Sequence, residues 1–178
     1  LKIKVTIGIA MILVIIFIIQ SFSTTKLNIG SAKSLLTKFT YDLNFKIGEE
    51  YVYVMVKDSC TSKLNKFVMN KNVSADKNPT ISVPKNSTIY ISLYSNATIL
   101  ADWKLSNESN LKNLNYKNSF FTFPKYSNLN SKADGSSPRR NNFEFEITNV
   151  GEEALSFEYI ATETKEVYNT LNMNIKSE

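Results

Sequence analysis

The chain has 178 residues, 43% hydrophobic and 12% aromatic, which suits one packed domain of ordinary size and is too apolar for a disordered chain. It contains no histidine, so a Ser-His-Asp triad, a Cys-His dyad and His-bearing zinc sites are excluded, and its one cysteine, Cys60, cannot close an internal disulfide. The net charge of +5 is spread over single lysines, with Arg139-Arg140 the only basic doublet, which predicts a solvated surface and no nucleic-acid partner.

Val5 to Ile19 is an uncharged apolar run of 15 residues behind Lys2 and Lys4. With Leu1, Ile3 and Gln20 it approaches the roughly 20 residues that cross a bilayer. Residues 1–20 therefore read as a single transmembrane anchor with a cytoplasmic N-terminus, or as an export signal. Small residues at Ser21 and Ser23 fit cleavage after about Ser23. Both readings put the rest of the chain outside the cytoplasm, on the cell membrane or secreted. No cysteine follows the run, which excludes a lipoprotein.

Residues 21–40 are rich in Ser, Thr, Lys and Asn and read as a polar tether, with weak helical spacing at Ile29, Leu35, Leu36 and Phe39. From 41 to 178 the period changes from helical to two. Tyr51–Val56 is a continuous β-branched and aromatic run that predicts a core strand, closed by a turn at Lys57, Asp58 and Ser59. Cys60 reads as a small half-buried residue beside that turn. Thr80–Val83 precedes Pro84, Lys85 and Asn86, and its expected hairpin partner is the strand in which Ile89, Ile91 and Leu93 alternate with Tyr90, Ser92 and Tyr94.

Phe143, Phe145 and Ile147 alternate with Glu144, Glu146 and Thr148, the plainest strand signal in the chain. A turn over Asn149–Glu152 leads to Leu155, Phe157 and Tyr159, so a second hairpin is expected there. Leu171, Met173 and Ile175 share one face of a last strand that begins near Val167. About seven short alternating strands with Asn- and Ser-rich turns predict an all-β, immunoglobulin-like β-sandwich over 41–178, preceded by the one N-terminal helix. Sequential strands of this kind are expected to pair antiparallel, since no crossover helix is visible.

Without histidine or paired cysteines, catalysis would fall to carboxylates or a Ser-Lys pair. Asp102, Glu108 and Asp134 are candidates only by their nearness to predicted loops, where acids are usually solvated. The expectation is a protein that is not an enzyme and holds no metal or cofactor. Arg139 and Arg140 read as a solvated loop pair.

Ser92 to Trp103 resembles the strand, Asn-Pro-Thr-Thr-Gly loop and following tryptophan of chagasin-like inhibitors of papain-type cysteine peptidases, with Asn96, Thr98 and Trp103 in register. The similarity runs in order over about 79–178, through a polar loop with Gly135, the strand from Phe143, the turn at Gly151, the strand ending in Tyr159 and a closing strand to Lys176. It implies a sandwich in which three neighbouring loops enter a peptidase cleft. Here these are Asn96, Ala97, Thr98, Ile99 and Leu100; a loop carrying Gly135 and Ser136; and Ala161, Thr162 and Glu163. Ala97 stands in place of the family's proline, Leu100 in place of a glycine, and Ala161 to Glu163 in place of an Arg-Pro-Trp motif, so the tryptophan anchor of the third loop is missing. Asn96 and Thr98 fit both a peptidase contact and a turn bonded to its own backbone, and Trp103 reads as core.

Phe143 to Leu155 is also similar to the strand, turn and strand of many adhesive and intracellular-inhibitor immunoglobulin-like domains. The leading expectation is a membrane-tethered extracytoplasmic domain that binds a papain-type peptidase or another envelope protein. The alternative is a structural or adhesive module of the bacterial cell envelope without inhibitory activity.

Overall fold

The computed structural model describes residues 33, 34, 36, 51–70, 78–123 and 138–178. The apolar N-terminal run and the possible cleavage after Ser23 lie outside them. The chain divides into two units, Leu1–Ser34 and Leu35–Glu178. In the first, Lys33 and Ser34 are helical and exposed. In the second, Leu36, from the stretch read as tether, is helical and completely buried.

Nine strands are found among the described residues, two more than the alternation suggested: β1 (Tyr51–Asp58), β2 (Leu64–Asn70), β3 (Thr80–Val83), β4 (Ser87–Asn96), β5 (Ala101–Leu105), β6 (Leu114–Thr122), β7 (Pro138–Ile147), β8 (Gly151–Ala161) and β9 (Val167–Ser177). They form a five-stranded sheet in the order β2-β1-β4-β7-β6 and a four-stranded sheet in the order β3-β9-β8-β5. Val52, Val54, Val56, Ile89, Ile91, Phe143 and Phe145 of the first pack against Trp103, Leu155, Phe157, Leu171, Met173 and Ile175 of the second in one core. This is an all-β sandwich.

Two expected hairpins are not hairpins. β3 and β4 lie in different sheets, and β3 pairs instead with β9, in parallel. The short connection between them, with Asn86 at φ 64°, swings the chain from one sheet to the other, and the Lys85 N–H bonds to the Glu178 carbonyl at 2.9 Å. The parallel pair needs no crossover helix because its strands are far apart in sequence.

β7 and β8 likewise belong to opposite sheets. Side by side, both apolar faces would still need a cover. Folded over, they cover each other, with the Phe143 and Phe157 rings 4.9 Å apart and Phe145 edge-on to Phe157 at 6.5 Å. Strand alternation tells which face is buried and is silent on which strand lies alongside. The expected last strand is in place, with β9 antiparallel to β8 and Leu171, Met173 and Ile175 buried.

The five-stranded sheet is also buried over part of its outer face. Tyr53, Met55, Tyr90, Ser92, Arg140 and Asn142 point away from the sandwich core and are buried, which explains why Tyr51–Val56 is apolar without interruption. Arg140 is thus not a solvated residue. Its Nε donates to Ser92 Oγ at 2.9 Å, its Nη2 to the Tyr51 and Ser92 carbonyls at 2.7 Å each, and its guanidinium lies 4.4 Å from the centre of the Tyr53 ring. Tyr90 donates to Glu144 at 3.3 Å, and burial, then the nearby carboxylate, push its phenol well above the usual range.

Candidate functional site

Strand direction decides which connections meet. β4 ends at Asn96, which pairs with Pro138 at the start of β7; Thr122 at the end of β6 pairs with Arg140; and Ala101 at the start of β5 pairs with Ala161 at the end of β8. The β4–β5, β6–β7 and β8–β9 connections therefore leave and re-enter the sandwich at one rim. Of the β6–β7 connection, Gly135, Ser136 and Asp134 lie outside the described residues.

The β4–β5 loop is a local turn of its own making. Asn96 Oδ1 accepts from the Thr98 N–H at 3.0 Å and from the Thr98 hydroxyl at 2.7 Å, so both side chains are engaged with the loop itself. The Ile99 N–H bonds to the Asn96 carbonyl at 3.2 Å and the Ala101 N–H to the Ile99 carbonyl at 2.7 Å. Leu100, standing where the family has glycine, is not among the described residues with positive φ, which besides Gly151 are Ser62, Asn86 and Lys165. The loop therefore closes without the positive φ that a glycine there would allow. Ala97 is half-buried and Thr98 exposed. The tip is apolar and open, with Ile99 44% and Leu100 65% exposed.

The β8–β9 turn is tied to that tip by one bond, from the Thr162 N–H to the Leu100 carbonyl at 2.6 Å. Thr162 and Glu163 are exposed, whereas Ala161 is buried. Ala161 closes the turn through its backbone, donating to the Glu166 carbonyl at 2.8 Å and accepting from the Lys165 N–H at 3.2 Å. It offers no contact surface. Lys165 at φ 61° and its ammonium bond to the Thr162 carbonyl complete the turn.

Beneath the loops lies an aromatic series that leads outward. Trp103 is buried in the core, its indole N–H donating to the Tyr94 carbonyl at 2.7 Å. Tyr159 stacks on it at 5.3 Å, and Tyr168, 52% exposed, follows at 6.3 Å. The Tyr159 hydroxyl also accepts from the Asn96 N–H at 3.5 Å, across the sandwich. Sequence reasoning missed Tyr168, which sits at the irregularity in β8–β9 pairing next to Tyr159 and so falls out of simple alternation.

Arg139 and Asp102 were also misread. Asp102 is not a solvated loop acid but a residue of β5, ion-paired with Arg139 of β7 in the opposite sheet. Arg139 Nε donates to Ser95 Oγ at 3.3 Å, and its guanidinium lies 4.1 Å from the centre of the Phe121 ring. The signal was present: Arg139 and Asn141 share the inward face of β7 with Phe143, at i, i+2 and i+4. Glu108, the other described acid considered, is exposed in a 3-10 helix, Glu108–Asn110, at the opposite end. Among the described residues no group of His, Cys, Asp or Glu is arranged to hold a metal ion.

Solved structures similar to this chain include the following two. One is the crystal structure of a cysteine protease inhibitor, EhICP2, from Entamoeba histolytica, at 16% identity and TM-score 0.45, covering 57% of this chain and 87% of that one. The other is the solution structure of amebosin, at 16% identity and TM-score 0.42, covering 56% and 88%. Among curated proteins none matches. The model of the chagasin family of peptidase inhibitors, I42, matches residues 82–175, more than half of the chain, and the protein therefore belongs to that inhibitor family and is not an enzyme.

Proposed function

We propose that this protein binds and inhibits a papain-type cysteine peptidase through the rim formed by the β4–β5, β6–β7 and β8–β9 connections, acting outside the cytoplasm from a membrane anchor within residues 1–20. Family membership over 82–175 carries the reading. The exposed Ile99-Leu100 tip adds to it, since a polypeptide entering a cleft gains most from apolar side chains that are open before binding and covered after it. A rim with no histidine and with Asp102 held by Arg139 is suited to gripping a partner and not to cutting one.

The direct test is titration of papain with the 178-residue chain. Inhibition with a sub-micromolar constant is expected, a binding free energy of about −8 kcal/mol or stronger. No inhibition at high micromolar concentration overturns the reading and leaves a structural or adhesive envelope module, which the Ala97, Leu100 and Ala161 to Glu163 departures would then explain. The anchor is tested separately: the protein should stay with membranes after alkaline carbonate washing, and its β-domain should be open to added protease on intact cells.

A further inference from the structure

We infer that Arg139 is the positioning residue of the rim, fixing through Asp102 the place where the β4–β5 loop presents Ile99 and Leu100; this rests on the proposed peptidase-binding reading. The guanidinium joins its own strand to three others. It pairs with Asp102 of β5, bonds to Ser95 of β4 at 3.3 Å, lies 4.1 Å from the Phe121 ring of β6, and is carried by β7. Ser95 and Asp102 flank the loop on either side, one in each sheet, so a single side chain bridges the gap that the loop spans. Its side chain is 17% exposed and that of Asp102 36%, so water screens the pair only in part. The Thr162 N–H bond to the Leu100 carbonyl carries the constraint on to the β8–β9 turn.

Arg139 need not touch the peptidase to matter. A loop held in its bound form loses less freedom on binding, and a loop released from Asp102 must be ordered by the partner. The fork geometry of a guanidinium, bonded at Nε and Nη2 to different strands, is not reproduced by an ammonium.

The test uses the full chain with Arg139→Gln, Asp102→Asn, both together, and Arg139→Lys, read by papain inhibition and by amide hydrogen exchange. Either single substitution should weaken inhibition by about ten-fold and speed exchange at Ile99 and Ala101, while Phe157 and Met173 in β8 and β9 stay protected as before. The double variant should be no worse than the singles, and Arg139→Lys should fall between. Unchanged loop exchange in both single variants, or additive losses in the double, would overturn the proposal. Should Arg139→Gln fail to fold, Asp102→Asn, which is nearly isosteric, decides alone. If the unmodified chain does not inhibit papain, the peptidase reading falls while the exchange measurement still decides the role of Arg139.

Discussion

At the end where β7 crosses to β8, several side chains are bonded to the backbone of neighbouring connections, whereas the rim also leaves apolar side chains open to solvent. Glu153 Oε2 accepts from the Lys112 and Asn113 N–H groups at 2.7 and 2.6 Å, and the Asn113 carbonyl accepts from Thr148 and Asn149 at 2.9 and 3.3 Å. Ser177 Oγ donates to the Asn149 carbonyl at 2.7 Å and accepts from the Gly151 N–H at 3.0 Å, while Asn107 brackets β8 at the Ala154 carbonyl and Ser156 N–H. At the rim, the Asn96 and Thr98 side chains bond to each other within their own loop, and Ile99, Leu100 and Tyr168 face solvent. One end is stitched and the other presents, so substitutions at the two ends should separate stability from binding.

The largest expected effect is at the rim. Leu100→Asp should cost about 2–4 kcal/mol of papain binding, read as an inhibition constant at least thirty-fold weaker, with the thermal midpoint unchanged. An equal loss from a stitched-end variant that stays folded would break the comparison. Next comes Gly151→Ala, since φ 145° is strained for any L side chain and the new Cβ would lie 3.0 Å from Asn113 Nδ2. About 2 kcal/mol of stability should be lost in denaturant unfolding, with inhibition by the folded fraction retained. Glu153→Gln should remove about 1 kcal/mol, because an amide oxygen still accepts but without charge.

The smallest effect sharpens the contrast through pH. The Thr61 hydroxyl and then the Cys60 N–H hold the Asp58 carboxyl below its ordinary range, at 2.6 and 2.8 Å. A depressed folded value means the turn's contribution is present above the usual carboxylate pKa of about 3.9 and is lost as pH falls through the lower folded value. The Cys60 amide resonance should therefore move below about pH 4 and stop moving in Asp58→Asn. Rim resonances should not follow it.

Much of the fold was legible because burial is periodic. Phe143, Phe145, Ile147, Leu155, Phe157, Leu171, Met173 and Ile175 all face the core, as their alternation requires. What alternation lacks is the identity of the neighbouring strand, so β3–β4 and β7–β8 were expected as hairpins and are crossings between sheets. β2 was missed because its outward face mixes the exposed Lys66 with an exposed apolar Val68 while Phe67 and Met69 are only partly buried against the core, and β6 because an irregularity between Tyr116 and Asn118 breaks its period. In the site, the loop residues could be found from their resemblance to the family; for Arg139 alternation gives the inward face but not the Asp102 partner, and Tyr168 shows no signal, since these contacts depend on strands brought together from far along the chain. Cys60, expected half-buried, is exposed because Asp58 draws the turn's backbone inward and leaves the thiol outside.

The molecule also carries its own pair of reporters. Its only tryptophan, Trp103, is bonded to the Tyr94 carbonyl directly under the presenting loop, and its only cysteine lies in the β1–β2 turn at the far pole. Indole emission can thus follow occupancy of the loop end without a label, while a dye or surface linker on the thiol leaves that end free and gives a fixed acceptor for energy transfer.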